Sequence, residues 1–301
     1  MEKIDYESAV KNIRKELKSY VEENRIKSLV LGVSGGMDSC LCAALAKPVC
    51  DELEIPLMGR SLPISTNAPD EIDRATLTGK AFCTNFREVN LAEYFNDLSI
   101  INTDPSLTYI EDKSIVISDK DTDKAWRIRN GNIKARLRMI YLYNLASLNK
   151  GMVLSTDNYT EYLLGFWTRF GDEGDFGMIQ KLWKSEVYDM AEWMAEKELK
   201  FQDEYVALTS TIEALATDGL GVSSLGDLGQ IMPDFKGSSR DGYKEVDKIL
   251  QLWVERHELG DVQKTIIENP LKDHPVIQRH IRSEFKRHVP INIPRNIIVK
   301  T

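Results

Sequence analysis

The stretch 28–53 constrains the fold of this chain more than any other. An apolar run over 28–33 predicts a buried parallel strand, and the apolar residues after position 40 recur every four positions, as on one face of a helix. Residues 34–39, Ser-Gly-Gly-Met-Asp-Ser, therefore form a strand-to-helix turn. Two adjacent glycines let backbone N–H groups approach a ligand, and the helix N-terminus adds unpaired donors and a partial positive charge. The turn predicts a phosphate or pyrophosphate site, in which Asp38 is placed to hold a metal.

Strands and helices continue to alternate through the first half of the chain. Strands are predicted at 28–33, 56–64, 87–91 and 151–156, and helices at 3–24, 37–53, 67–84 and 126–149. This order is typical of an α/β protein with a Rossmann-like parallel sheet and helices on both faces. Residues 99–124 break the alternation and are interpreted as an insertion or a mobile loop, with room for one strand at 114–117. A loop-like region at 215–242 precedes a largely helical last third, including a helix at 243–257.

The overall composition limits the kinds of partner. The chain has 301 residues and a formal net charge of −8, which argues against a general nucleic-acid binder. It contains no apolar run of about 18 residues and its first residues are charged, so neither a membrane span nor a secretory signal is expected. The four cysteines, at positions 40, 42, 50 and 83, show no metal-ligand pairing with histidine and are interpreted as reduced, cytosolic core thiols.

Two common phosphate-binding motifs do not fit the turn. A P-loop requires a lysine directly after its glycines, whereas the nearest lysine here is Lys47, well inside the helix. A dinucleotide fingerprint requires the order Gly-x-Gly-x-x-Gly, whereas the glycines here stand at positions 32, 35 and 36. Neither motif therefore accounts for the turn.

The turn does match the Ser-Gly-Gly-x-Asp-Ser signature of the N-type ATP pyrophosphatases and so resembles that superfamily. The motif is fairly specific when, as here, it follows a strand and opens a helix. Three further blocks, at 131–139, 155–172 and 217–221, are similar to NAD synthetases and occur in that family's order. The resemblance covers about residues 5–290, with weak stretches at 97–125 and after 225. The chain therefore resembles the ammonia-dependent NAD synthetases, and the implied fold is adenine nucleotide alpha hydrolase-like.

This resemblance implies one synthetase domain over residues 1–301, located in the cytoplasm and forming a homodimer. Family-like blocks occupy nearly the whole chain, so a separate domain for glutamine hydrolysis is not expected. In the implied reaction, the nicotinate carboxylate of deamido-NAD attacks the α-phosphate of ATP and expels pyrophosphate. Ammonia then attacks the adenylated carboxyl, which gives NAD and AMP. A protein nucleophile is not required, so catalysis would rest on positioning and charge neutralisation.

Residue roles follow from the resemblance, position by position. The implied ATP-binding residues are Gly32, Val33, Ser34, Gly35, Gly36, Met37, Asp38, Ser39, Thr156, Lys184 and Thr217. Mg²⁺ would be held by Asp38 and Glu161, because carboxylate and phosphate oxygens suit this hard cation. The implied deamido-NAD contacts are Arg136, Arg169, Asp175 and Lys286. The implied catalytic residues are Asp172, which would hold ammonium and accept its proton, and Lys184, a point charge on phosphate.

Ordinary structural roles are the alternative for each of these residues. Asp38 could complement the helix dipole, Thr156 could end a strand, and the charged residues in loops could face solvent. The chain also departs from the family where glycine, lysine, proline and histidine are usual, at Ser155, Arg169, Ala216 and Phe285 respectively. Arginine in place of lysine keeps the charge but changes the geometry.

Two other functions stay open at this point. One is another ATP pyrophosphatase that adenylates a different carboxyl, carbonyl or nucleobase, including one on tRNA, although the acidic charge and the block at 131–139 weigh against tRNA. The other is a regulatory module that binds ATP without turnover. Such a module would not need Glu161, Asp172 and Lys184 together. Release of AMP, and the acceptor on which it depends, distinguishes the three functions.

Overall fold

Five parallel strands form the centre of the fold. The computed structural model of the protein describes residues 4–65, 67–98, 119–215, 226–258 and 260–288. The strands are β1 (Leu29–Gly32), β2 (Leu57–Ser61), β3 (Asn85–Glu88), β4 (Met152–Ser155) and β5 (Phe176–Gly177). They lie in the order β3-β2-β1-β4-β5, and Leu29 of β1 is in register with Leu57 of β2 and Met152 of β4. The predicted Rossmann-like parallel sheet is confirmed.

Helices connect the strands and make up the C-terminal third. They are α1 (Tyr6–Glu23), α2 (Met37–Leu53), α3 (Pro69–Phe82), α4 (Ala92–Leu98), α5 (Asp119–Leu148), α6 (Tyr159–Leu164), α7 (Lys184–Lys197), α8 (Gln202–Ile212), α9 (Leu228–Ile231), α10 (Ser239–Glu255), α11 (Asp261–Leu271) and α12 (Pro275–Arg282). Short 3₁₀ turns follow α10 and α12, at Arg256–Glu258 and Glu284–Arg287. The predicted helix at 37–53 coincides with α2, directly after the glycine turn.

Helices cover both faces of the sheet. Successive residues of a strand point to opposite faces, and here residues on both faces are buried against helices. Leu29 and Leu31 of β1 belong to the core cluster that contains α2. Val30 belongs to a second cluster, together with Met139 and Leu142 of α5. All three strand residues are fully buried, which explains the uninterrupted apolar run in the sequence. The prediction of helices on both faces is therefore confirmed.

The helix α5 is longer than predicted. It begins at Asp119 instead of 126, so the segment interpreted as a loop ends at 118. The interpretation was wrong for residues 119–124 because all six are charged or hydroxyl-bearing and lack the apolar periodicity that indicates a helix. The rest of that segment, including the strand predicted at 114–117, lies outside the described residues.

The helix α10 brings the last third of the chain against α6 and α7. It buries Tyr243, Val246, Leu250 and Trp253, which are spaced three or four apart along one face. α10 contacts α6, α7 and α12. Its first turn and the whole of α9 lie within the region predicted as a loop, 215–242, where glycine and serine obscure the helical pattern.

Two expectations drawn from composition concern the cysteines and membrane spans. All four cysteines are free, as predicted, and Cys40, Cys42 and Cys50 are buried. Burial raises the pKa of Cys40 to about 11 and that of Cys50 to about 12, so both thiols are protonated core residues. Within the described ranges, every helix is too short or too polar to cross a bilayer.

Candidate active site

The carboxyl ends of β1, β2 and β4 open into one cavity of about 880 Å³. Ligands of open parallel sheets bind at this edge, where the strand order reverses, and the reversal here lies between β1 and β4. The cavity wall includes residues 32–38 after β1, Ser61 at the end of β2 and Thr156 after β4. Residues distant in the chain are therefore brought to one crevice by the sheet topology.

Gly35 and Gly36 shape the turn after β1. Gly35 has a φ of +84°, and a Cβ at this position would lie 2.0 Å from the carbonyl oxygen of Glu71, so only glycine fits. Gly36 is the N-cap of α2 and provides no capping side chain, so the first amides of that helix keep their donors for a ligand. Ser39 Oγ accepts from the N–H of Ser34 at 3.2 Å and donates to the carbonyl of Gly36 at 3.1 Å. The two serines stabilise the turn by hydrogen bonds within it, and the uncapped first amides of α2 suit a phosphate.

Lys184 joins the two carboxylates implied for the metal. Its Nζ lies 2.9 Å from Oε1 of Glu161 and also donates to Oδ2 of Asp38. Asn158 donates through Nδ2 to the other oxygen of Asp38, at 2.9 Å. The side chain of Lys184 is only 4% exposed. Residues from α2, α6 and α7 thus form one buried group beside the glycine turn, called here the Asp38–Glu161–Lys184 cluster.

Burial and charge together set the protonation of this cluster. Burial works against the ammonium of Lys184, but Asp38 and Glu161 outweigh that effect and hold the pKa of Lys184 well above its usual value. Burial raises the pKa of Glu161 to about 6, against the opposing charge of Lys184. Removal of one member of a buried ion pair leaves a costly unpaired charge. The two carboxylates therefore depend on a cation between them.

Local sequence explains the placement of Glu161. Asn158 and Glu161 form a capping box at the start of α6, in which each side chain accepts from the other residue's N–H, at 3.0 and 3.4 Å. The cap uses Oε2 of Glu161, which leaves Oε1 to contact Lys184. Lys184 is itself the first residue of α7. Two helix N-termini thus direct these side chains to the same point.

The cluster fits a hard divalent cation. Asp38 and Glu161 present carboxylate oxygens from separate helices, and both reach one ammonium, which stands where a shared cation would bind. Mg²⁺ prefers such oxygens and usually completes its shell with phosphate and water. In the part of the chain that the structure describes, no group of three or more His, Cys, Asp or Glu forms a metal site. A metal at this cluster would therefore complete its shell with oxygens from water or from a bound ligand.

Asp172 and Thr156 both line the cavity. Oδ2 of Asp172 accepts from the N–H of Thr168 at 2.5 Å. Burial raises the pKa of Asp172, while the hydrogen bond from Thr168 and the charge of Arg138 oppose the rise. A buried carboxyl of this kind on a cavity wall is suited to hold a small cation or to accept a proton. Thr217, the remaining implied ATP contact, lies outside the described residues.

The structure does not gather the four residues implied for deamido-NAD. Lys286 lines the cavity, and its Nζ donates to the carbonyl oxygens of Gly165, at 2.7 Å, and of Trp167. Burial, with the nearby charge of Arg279, lowers the pKa of Lys286 to about 8. The three that lie away from the cavity wall are Arg136, Arg169 and Asp175.

Arg136 contacts Arg169, and Asp175 contacts β4 and α5. Nε of Arg136 donates to the carbonyl of Arg169 at 3.2 Å. Asp175 accepts from the N–H of Val153 at 2.8 Å and from the hydroxyl of Tyr143 at 3.3 Å. Because Val153 belongs to β4, Asp175 secures the sheet edge where β5 pairs with β4. Their role towards deamido-NAD stays a prediction.

Three further residues of the cavity wall were not among the implied site residues. Arg138 donates to the carbonyl of Leu62 at 3.0 Å, and Arg74 donates to the carbonyl of Gly35 at 3.0 Å. Asp157 follows β4 directly, and burial, together with nearby carboxylates, raises its pKa well above the usual range. Position after a strand was an available signal for Asp157, and the family-like block at 131–139 was one for Arg138. The sequence around Arg74 carries no such signal.

A parallel sheet, a glycine turn at the switch point and a cation held between two carboxylates define an α/β protein built to bind nucleotide phosphates. The chain matches the family model for NAD synthase over residues 9–199. It is 30% identical, over 293 residues, to the NH(3)-dependent NAD(+) synthetase of Thermoplasma acidophilum, an alignment that covers 97% of this chain and 99% of the relative. The protein belongs to the NAD synthase family.

Solved structures share the fold. The NMN synthetase of Francisella tularensis superposes with a TM-score of 0.70 and 20% identity, over 97% of this chain and 99% of that one. The NH3-dependent NAD synthetase of Campylobacter jejuni, solved with a nitrate ion, superposes with a TM-score of 0.63 and 19% identity, over 97% and 100% of the chains. The α/β fold expected from the sequence is therefore that of the NAD synthetases.

Proposed function

We propose that this protein catalyses the ATP-dependent amidation of deamido-NAD to NAD with ammonia, through an adenylated carboxylate, and releases AMP and pyrophosphate. One observation carries the proposal: the Asp38–Glu161–Lys184 cluster lies beside the glycine turn in a single cavity. Membership of the NAD synthase family supports the same reaction.

The glycine turn and Lys184 would promote the first step. In that step an oxygen of the acceptor carboxylate bonds to the α-phosphorus of ATP, and the bond to the pyrophosphate oxygen breaks. The amides of the turn and of the start of α2 would hold the departing pyrophosphate, because they concentrate donors and partial positive charge. Lys184 would add a full charge at the phosphate oxygens. Positioning and charge neutralisation are the main demands of such a transfer.

Asp38 and Glu161 would hold Mg²⁺ together with phosphate oxygens of ATP. A bound Mg²⁺ neutralises phosphate charge and orients the reacting groups. Lys184, which contacts both carboxylates, would then also reach the phosphates. Lys184 and Mg²⁺ would together neutralise the two carboxylates and the phosphates.

Asp172 would serve the second step. Ammonia forms a bond to the adenylated carbonyl carbon, and AMP leaves with the bonding electron pair. Asp172 would hold ammonium and accept the proton that it loses, since burial raises the pKa of this carboxyl and makes it a better base. Asp157 places a second buried carboxyl on the same cavity wall.

A second acceptor, nicotinate mononucleotide, is favoured by one observation. Of the four residues implied for deamido-NAD, Lys286 alone lines the cavity, so three of the contacts implied for the dinucleotide do not reach the cavity of one chain. The Francisella tularensis neighbour is named NMN synthetase, and NMN is the amide of this mononucleotide. The ATP site and the chemistry would be the same, and the acceptor would be smaller.

We also propose a homodimer that forms through the outer face of α5. Trp126, Ile140 and Leu148 lie on one face of this helix and are exposed in the single chain, Leu148 at 79%. An exposed apolar stripe on one helix is typical of an interaction surface. Arg136 is also exposed on α5, so a partner chain would lie near it.

Light scattering tests this interface. The wild type should give the dimer mass, and Ile140→Asp should give monomers; a monomeric wild type contradicts this interface.

The test of the reaction is a product assay. Purified protein is incubated with ATP, Mg²⁺ and ammonium, together with deamido-NAD, nicotinate mononucleotide or no acceptor, and AMP, NAD and NMN are separated by chromatography. Parallel mixtures contain glutamine in place of ammonium. We expect equal amounts of AMP and NAD with ammonium and deamido-NAD.

Each other result identifies a different function. Faster formation of NMN than of NAD would make the mononucleotide the acceptor. AMP formed with neither acceptor but with another carboxyl, carbonyl or nucleobase compound would favour a different ATP pyrophosphatase. The lack of AMP in every mixture would favour a module that binds ATP without turnover.

A further inference from the structure

The N-terminus of α7 is capped by residues from two other helices. The first amides of a helix have no partner within it. Here the N–H of Lys184 donates to the hydroxyl of Thr160 and the N–H of Ser185 donates to Oδ2 of Asp247, each at 2.8 Å. Trp183, the residue before α7, makes no side-chain cap. The caps therefore come from α6 and α10.

Asp247 connects α6 to α7 as well as capping α7. Its Oδ1 accepts from the hydroxyl of Thr160 at 2.5 Å, so one carboxylate contacts both helices. Asp247 is 0% exposed. A carboxylate at a helix N-terminus complements the helix dipole, and its hydrogen bonds are stronger than those of neutral acceptors. The contact between α6 and α7 is therefore fixed by a buried, charge-assisted hydrogen bond.

We propose that Asp247 is a positioning residue for the Asp38–Glu161–Lys184 cluster. Thr160 immediately precedes Glu161, and Ser185 immediately follows Lys184, so each contact of Asp247 is one residue away from a member of the cluster. By fixing the starts of α6 and α7, Asp247 holds Glu161 and Lys184 at the separation that suits ATP and its metal. The inference rests on ATP binding at this cluster, which is part of the proposed function.

The sequence offers no local signal for this role. Asp247 lies 87 residues from Thr160 and 62 from Ser185, in a helix outside the stretch 9–199 that matches the NAD synthase family model. Tyr243, one helical turn before Asp247, lies with its ring 5.5 Å from Nζ of Lys184. α10 therefore contacts both the backbone of Ser185, next to Lys184, and the ammonium of Lys184.

The first experiment compares Asp247→Asn with Leu250→Ala. An amide keeps one acceptor oxygen but presents N–H donors in place of the other, so Asp247→Asn retains the shape of the side chain and loses part of the link. Leu250 is equally buried on the same helix and makes no polar contact through its side chain. The affinity for Mg·ATP is measured by calorimetry without acceptor, next to the KM for ATP, the KM for the acceptor and the Tm.

We expect Asp247→Asn to weaken Mg·ATP binding about 10-fold, which is typical for the loss of a residue that orients a ligating group. The KM for the acceptor should stay unchanged. Leu250→Ala should lower the Tm and leave the affinity for Mg·ATP as in the wild type. A purely structural role would give the two variants the same affinity at equal Tm.

A pair of substitutions at Thr160 tests the same link without changing charge. Thr160→Val removes the hydroxyl and keeps the shape, so it should weaken Mg·ATP binding as Asp247→Asn does. Thr160→Ser keeps the hydroxyl and should retain the affinity of the wild type. If Asp247→Asn does not fold, the comparison of Thr160→Val with Thr160→Ser is sufficient to test the proposal.

The proposal is overturned if Asp247→Asn folds and binds Mg·ATP as tightly as the wild type. It is also overturned if Leu250→Ala weakens binding to the same extent at equal Tm, or if Thr160→Val and Thr160→Ser bind alike. A wild type that binds Mg·ATP but forms neither NAD nor NMN would refute the proposed reaction. The comparison of affinities among the variants would still test Asp247.

Discussion

The side of the cavity proposed for ATP and the side proposed for the acceptor differ in how completely one chain assembles them. On the ATP side, side chains from three separate helices meet in the Asp38–Glu161–Lys184 cluster, next to the glycine turn. On the acceptor side, Lys286 reaches the cavity, whereas Asp175 joins β5 to β4 and lies outside it. Among the described residues, the implied metal ligands and Lys184 of the first side meet within a single chain. The second uses few of the residues that the family resemblance implies.

Sheet topology explains the difference. Parallel strands end at one edge, and the helices that follow them begin there, so residues at strand ends and helix starts converge whatever the rest of the sequence does. The acceptor side instead depends on residues within α5 and in the chain after α6. The sheet topology does not direct the side chains of these residues to one point. The shared edge thus explains why the proposed ATP side follows from the topology, whereas the proposed acceptor side does not.

The largest effect is expected for Asp38→Ala. Loss of this carboxylate should lower kcat/KM on the order of 10³-fold, because charge at the phosphates is then less well neutralised and positioned. A role limited to the dipole of α2 would instead cost about 0.5 kcal/mol of stability and leave turnover intact. Steady-state kinetics and urea unfolding distinguish the two roles. Asp203→Ala, in the first turn of α8, is the matched control; retained activity in Asp38→Ala would falsify the metal assignment.

The second largest effect is expected for Lys184→Met, which leaves Asp38 and Glu161 facing each other without a cation. Activity should fall on the order of 10²-fold, and the ligand-free protein should lose about 3 kcal/mol of stability, as when a buried ion pair is broken. Because the two carboxylates are then free for a metal, Mg²⁺ alone should stabilise this variant more than it stabilises the wild type. The control is Lys181→Met, at an exposed lysine three residues earlier.

The measurement is urea unfolding with and without Mg²⁺. An equal response of Lys184→Met and the wild type to Mg²⁺ would mean that the two carboxylates do not form a cation site. The ATP side would then resemble the acceptor side, as a set of residues whose roles come from resemblance alone.

The ATP side and the acceptor side also differ in how well they could be predicted from the sequence. The strand, glycine turn and α2 were predictable because apolar periodicity and glycine positions are local signals, and the parallel sheet followed from their alternation. Arg138 lines the cavity, whereas Arg136, which was predicted, does not. Two positions along a helix differ by about 200° in direction. Which arginine faces the cavity therefore depends on how α5 is rotated in the tertiary structure.

Long-range polar contacts could not be predicted from the sequence, because they too depend on the tertiary structure. Asp247 acts on α6 and α7 across 87 and 62 residues, and no motif marks a buried carboxylate in a C-terminal helix. The extra turns at the start of α5 were missed because charged residues hide helical periodicity. For Asp247 the deciding physical fact is tertiary, whereas for α5 it is a local pattern without apolar residues.

A smaller effect, specific to the acceptor side, is expected for Lys286→Met. The KM for the acceptor should rise about 10-fold at pH 7, because a charge-assisted contact to an anionic substrate is lost, and the KM for ATP should not change. Burial lowers the pKa of Lys286 to about 8, so the charge is present below that pH and lost above it. The acceptor KM of the wild type should therefore rise above about pH 8, and that of the variant should not depend on pH there.

The contribution of Lys286 to folding stability changes with pH in the opposite direction to acceptor binding, so it serves as the control. The pKa of Lys286 is about 8 in the folded protein, against an ordinary value of 10.5, so the unfolded chain binds more protons between these values. This group therefore makes the folded state more stable as the pH rises through that range. Loss of acceptor affinity above pH 8 cannot then be attributed to unfolding caused by Lys286. A wild-type KM that is flat from pH 7 to about 9 would remove Lys286 from the acceptor site.

The smallest effect is expected for Asp175→Asn. Its carboxylate accepts from Val153 and Tyr143, so the variant should lose about 1 kcal/mol of stability, with no change in the acceptor KM. Tyr143→Phe, which removes one of the two contacts, should lose less. If Asp175→Asn instead raises the acceptor KM, Asp175 belongs to the acceptor site although it lies outside the cavity of its own chain. The site would then have to draw on a second copy of the chain, and the two sides of the cavity would differ because only one of them is complete in a monomer.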